Sequence, residues 1–108
     1  MAKWLTVAET NCADASRESE FNEWYDNVHL PDVLELPGMM RITRYENTEP
    51  SSGKAKFLAL YEIETDDIGA FIKSVDQLLA EKRAEGRISE LAVVVSSVTY
   101  RQISSLSK

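Results

Sequence analysis

The chain has 108 residues, with 12 basic against 18 acidic, a formal net charge of −6 and a pI near 4.8. That length predicts one domain over residues 1–108 and leaves no room for a separate cofactor domain. The acidic balance, with Lys and Arg scattered, argues against a nucleic-acid or anionic-membrane partner, and no apolar run approaches the roughly 20 residues of a membrane span.

Lys3 to Glu9 alternates loosely and predicts a strand. Thr10 to Ser16 is a cluster of small polar residues and predicts a turn. Phe21, Trp24, Tyr25 and Val28 then recur as the stripe of an amphipathic helix, with Asp14 or Ser16 as its N-cap. Pro31 is expected to stop that helix and to open a short turn to Leu36, closed by Pro37-Gly38. Met39 to Glu46 predicts a second strand, Asn47 to Lys54 a hairpin loop, and Ala55 to Glu64 a third strand. Thr65 or Asp66 is expected to cap a second helix. Ile68, Phe71, Ile72, Val75, Leu78 and Leu79 give that helix one apolar face, and Gly86 ends it. The β-branched run Ala92 to Ile103 predicts the last strand, followed by a polar tail over about residues 104–108.

The order β-α-β-β-α-β is the α+β, ferredoxin-like arrangement: a four-stranded antiparallel sheet with two helices on one face. Two helices can cover only one face of such a sheet. In the third strand Phe57, Ala59, Tyr61 and Ile63 point one way, while Leu58 and Leu60 point the other. In the last strand Ala92, Val94 and Val98 are expected to oppose Val93 and Val95. A sheet apolar on both faces needs a cover on both, so a homodimer through the sheets is expected.

Cys12 is the only cysteine, which excludes an intrachain disulfide and suggests a reducing, cytoplasmic setting. His29 is the only histidine, so no single-chain site can use two. It follows Tyr25 by four residues and Phe21 by eight, on the same side of a helix. Asp32 is placed to accept from one of its ring nitrogens and fix the tautomer. Trp24 and Tyr25 bring flat apolar surface and two polar handles to the same place. These are the parts of a pocket for a flat molecule bearing a carbonyl or a phenol. His29, Asp32 and Glu35 are too thin a set for zinc or iron, so no metal is expected. Tyr61 and Tyr100 lie on strands able to face such a pocket. Arg41 and Arg44, three apart on a strand, point to opposite faces, so at most one lines it.

The stretch Phe21, Trp24, Tyr25, His29, Leu30, Pro31, Pro37, Gly38, followed by Arg41, Arg44 and Tyr45 on a strand, resembles the EthD-like group of the dimeric α/β-barrel superfamily. The resemblance implies a homodimer whose two sheets face each other as a barrel, with a ligand cleft in each protomer between helices and sheet. Members of that superfamily differ widely in activity, so the fold alone settles no reaction. The resulting expectation is a cofactor-free enzyme acting on a small, largely apolar substrate, of cyclase, isomerase or lyase type. His29 would be the general acid or base, Asp32 would orient it, and Tyr25 or Tyr61 would donate to a developing oxyanion. Phe21, Trp24, Tyr100 and Arg44 would complete the substrate-binding set. The alternatives are a cofactor-independent monooxygenase using the same residues, and a non-catalytic ligand-binding or accessory dimer. Haem held through His29 is the lesser alternative on the cofactor side.

Overall fold

Alternation along one strand decides the architecture. Phe57, Ala59, Tyr61 and Ile63 are buried on one side of strand β3 (Phe57–Glu64), while Leu58 and Leu60 remain partly open on the other. β3 pairs on one edge with β2 (Met39–Glu46) and on the other with β1 (Lys3–Cys12), which pairs in turn with β4 (Ala92–Arg101). The computed structural model, which describes residues 1–108, thus has one antiparallel sheet in the order β2-β3-β1-β4. Helical segments α1 (Glu18–Trp24), α2 (Leu30–Leu34) and α3 (Ile68–Ala84) complete the ferredoxin-like fold. Phe21, Tyr25, Val33, Leu36 and Phe71 from the helical layer pack with Ala8, Phe57, Ala59, Tyr61 and Ile63 from the sheet.

Several boundaries differ from the sequence expectation, each for a local reason. β1 continues to Cys12 instead of stopping at Glu9, because Thr10, Asn11 and Cys12 find partners in Val94, Val93 and Ala92. Asp14 caps a 3₁₀ turn over Ala15–Arg17, its carboxylate accepting from the Ser16 N–H at 3.0 Å. The cap of α3 is Asp67, whose carboxylate accepts from the Ala70 N–H at 3.0 Å, one or two residues later than expected. β4 ends at Arg101, not Ile103.

Pro31 does not stop the first helix. Leu30 keeps helical angles (φ −62°, ψ −43°), and the chain runs on into α2. Between α1 and α2, Tyr25–His29 forms a π-helical turn. Proline lacks an N–H and crowds the carbonyl four residues back; the wider turn just before it relieves that conflict. Gly38 then makes the return to β2 at φ +99°. A Cβ there would meet the Glu64 carbonyl at 3.0 Å and the Phe71 ring at 3.4 Å, so only glycine lets β2, β3 and α3 converge.

A bulge corrects the expected facing of β4. Thr10 pairs with Val94 but Glu9 pairs with Ser96, leaving Val95 as the extra residue. From there the parity reverses. Ser97 and Thr99 now share the helix side with Ala92 and Val94, and Val98 and Tyr100 move to the outer face. That outer face is apolar and without a cover from the chain itself. Val98 is 46% exposed and Tyr100 55%, beside half-buried Leu5, Val7, Leu58 and Leu60.

Candidate functional site

Between α3 and the inner face of the sheet lies a cleft of about 320 Å³. Thr6, Ala8 and Thr10 of β1, with Tyr61 and Ile63 of β3, form its floor, and Ala92, Val94 and Ser97 of β4 continue it. Phe71, Val75, Leu79 and Arg83 descend from α3, and Trp24, Tyr25, His29 and Val33 close the remaining wall. Most of this lining is apolar, as in small-ligand sites, and the volume lies at the lower end of the usual range of about 300–1,000 Å³.

His29 sits in the π-helical turn at the cleft wall. Its ring stacks on Trp24 (centroids 4.9 Å apart, planes 21° apart) and meets Tyr25 edge-on at 5.0 Å. Trp24 is itself fixed, its indole N–H donating to the Arg87 carbonyl at 2.9 Å. Burial pushes the His29 imidazole down to about 4, with Arg44 adding to the effect and Asp32 opposing it. At neutral pH the ring is therefore neutral and carries a free lone pair. π-Helical turns recur at functional sites, where the extra residue re-aims side chains.

Behind His29, the Tyr25 and Tyr61 hydroxyls are 3.1 Å apart and hydrogen-bonded in the buried floor. Burial raises both phenols above the ordinary tyrosine value, more strongly for Tyr61. They stay protonated and able to donate.

Other expected site residues lie elsewhere. Asp32 does not hold the imidazole. Its two oxygens accept from the Arg87 Nε at 2.8 Å and terminal nitrogen at 3.0 Å, a two-bond guanidinium pair that outcompetes a single imidazole bond. That pair holds the Asp32 carboxyl below its usual range. Asp32 thus acts on His29 only through its charge. Phe21 is 0% exposed and belongs to the core beneath α1, not to the cleft wall. Arg44 does pack against the helical layer, as one of the arginine pair must, but not in the cleft. Its guanidinium lies 4.3 Å from the Tyr25 ring centroid and donates to Asn22 at 2.8 Å and Asp26 at 3.0 Å. It braces the outer side of Tyr25. Tyr100 is carried to the outer face by the β4 bulge. The structure therefore gathers His29, Tyr25, Trp24 and Tyr61 and leaves out Phe21, Asp32, Arg44 and Tyr100.

Sequence reasoning missed Arg83 and Arg87. The four-residue spacing Phe71, Val75, Leu79 was visible as an apolar stripe, and Arg83 is its next member. Arg87 carried no such signal, since its partner Asp32 is 55 residues away.

No protein-family model and no curated protein matches the sequence. Solved structures do match. HapK from Hahella chejuensis shares 18% identity over 97% of both chains, with a TM-score of 0.68. An MhuD variant with two manganese protoporphyrin IX molecules per active site shares 12% over 97% of this chain and 99% of that one, with a TM-score of 0.70. An EthD family protein from Bacillus halodurans shares 19% over 95% and 100%, with a TM-score of 0.57. The neighbours also include proposed monooxygenases and a dimeric ferredoxin-like protein. At these identities the likeness establishes the fold. That fold agrees with the EthD-like resemblance carried by residues 21–45. The expectation of no cofactor is overturned, because a neighbour of this shape holds a metalloporphyrin. Tested against the residues present, the donor chemistry fits haem: His29 offers a neutral imidazole at an apolar wall. The cleft volume suits a smaller ligand better.

Proposed function

We propose that the chain is an enzyme that binds a small, largely apolar molecule in the cleft and moves a proton at it through His29. The observation that carries the reading is an imidazole packed between Trp24 and Tyr25 beside a hydrogen-bonded phenol pair in an apolar pocket. His29 would take an acidic C–H or O–H proton. Tyr25 or Tyr61 would turn its hydroxyl from its neighbour to the oxyanion that forms. Trp24 would hold both the ring and the flat face of the substrate. The reaction class is cyclisation, isomerisation or elimination. Oxygenation of the deprotonated substrate would use the same residues, and product analysis with and without oxygen separates the two. The reading includes a cytoplasmic homodimer formed through the uncovered outer face of the sheet.

The test follows the His29 ring signals by NMR while small phenols, lactones and β-dicarbonyl compounds are added, then compares turnover of the compounds that bind. His29→Gln should leave binding nearly intact and lower turnover by about 10²–10⁴-fold. Unchanged turnover in that variant would leave a ligand-binding or accessory role instead.

A second reading rests on the same imidazole. Haem would be held by His29, and Arg83 is the cationic residue of the lining that could pair with its carboxylates. When bound, haem would supply redox chemistry at iron. Here Trp24 and Tyr25 would keep the imidazole oriented and exclude water from its inner side. A haem titration of wild type and His29→Gln, followed by visible absorption, decides it: saturable binding that the variant loses supports this reading.

A further inference from the structure

We propose that the cleft takes ligands with an apolar body and one anionic group, a carboxylate or its equivalent, held by Arg83 at the mouth. This rests on the cleft being the ligand site. Phe71, Val75, Leu79 and Arg83 follow one another at four-residue intervals along α3, and all four line the cleft. At about 1.5 Å per residue, the stripe runs roughly 18 Å from buried Phe71 to exposed Arg83. The slot is thus apolar along its length and ends in a guanidinium.

Three cations cluster at this end of α3, and two are already neutralised. Lys82 lies 3.7 Å from Glu85, and Arg87 is paired with Asp32 at 2.8 Å. Arg83 has no ion pair and no side-chain hydrogen bond, and it is the only charged side chain in the lining, since His29 is neutral. A cation in the last turn complements the helix dipole, which accounts for a basic residue there. It does not account for the unpaired one being the one that faces the cleft. A guanidinium presents a planar fork of donors that matches a carboxylate or sulfonate. The other hydroxyls of the cleft, those of Thr6, Thr10, Ser97, Tyr25 and Tyr61, are neutral and leave charge recognition to Arg83.

The experiment uses two fluorescent dyes of one shape. Anilinonaphthalene sulfonate carries an anion, and N-phenyl-naphthylamine does not. Each is titrated into wild type, Arg83→Gln and Arg83→Lys, with the His29 ring signals followed in parallel. Both dyes should shift His29. Arg83→Gln should weaken the sulfonate dye by about ten-fold and leave the neutral dye unchanged, with Arg83→Lys in between. Added salt should weaken only the sulfonate dye, and only in wild type and the lysine variant. If the neutral dye shifts His29 and Arg83→Gln leaves sulfonate binding unchanged, the anion proposal falls alone. If neither dye disturbs His29, the ligand-site reading falls and takes the proposal with it.

Discussion

The two faces of the sheet are made from alternate residues of the same four strands, yet they end in opposite conditions. On the inner face, Phe57, Ala59, Tyr61 and Ile63 meet the aromatic helical layer and disappear from solvent. On the outer face, Leu58, Leu60 and Val7 are only half-buried and Val98 is exposed. The difference teaches where the protomer spends its aromatic residues. Phe21, Trp24, Tyr25, Phe57, Tyr61 and Phe71 are concentrated inside, where large rigid rings fix one arrangement and leave one shaped gap. The outer face carries mainly aliphatic side chains, and near Leu5, Leu60 and Tyr100 it is hollowed and bordered by charged residues such as Lys3 and Glu62.

The largest expected effect tests the inner face where it is most closed. Phe21→Ala should cost about 3–5 kcal/mol in denaturant unfolding, since the ring is fully buried against Tyr25 and Phe57. A cost below about 1 kcal/mol would mean that α1 is not anchored there.

The next effect concerns the same face under acid. His29 is held at about 4 in the folded protein against 6.5 ordinarily, so the unfolded chain binds the proton more readily. The stability this group contributes is complete above pH 6.5 and is lost as pH falls towards 4. The loss amounts to about 3 kcal/mol across that window. Unfolding midpoints measured from pH 7 to pH 4 should show this slope in wild type and lose that part of it in His29→Gln.

The smallest effect on the protomer is expected from the outer face, where it sharpens the contrast. Val98→Lys should move protomer stability by no more than about 0.5 kcal/mol, because the side chain is already 46% exposed. Sedimentation should nonetheless report half the wild-type mass, as the substitution would place a charge in the proposed sheet-to-sheet contact. A mass unchanged by the substitution would move the subunit contact away from this face.

Much of this was legible in the sequence, for identifiable reasons. The β-α-β-β-α-β order follows from periodicity, and β3 could be sorted by face because its alternation is unbroken. The aromatic wall around His29 was legible because Trp24 and Tyr25 belong to one helical stripe and Tyr25 precedes His29 by four residues. Tyr100 was misplaced because a single extra residue at Val95 reverses parity downstream, and a run of valines gives no sign of it. The π turn was hidden because its residues also fit an ordinary helix, and Pro31 read more naturally as a stop. The partnership of Asp32 with Arg87 was hidden for a third reason. It depends on where α3 ends relative to α2, which is a tertiary fact.

The bulge at Val95 has one more consequence. β4 is an edge strand with the segment Ala92 to Tyr100 rich in β-branched residues, the composition that invites strands from other molecules to add on and propagate. A kinked ladder interrupts any such addition after a few residues. Just beyond the kink, Ser96 holds the Glu9 carboxylate at 2.7 Å, an acid embedded in an otherwise uncharged stretch. The irregularity that re-aims Tyr100 is thus also expected to oppose aggregation, and a straightened β4 should lower the concentration at which the protein stays in solution.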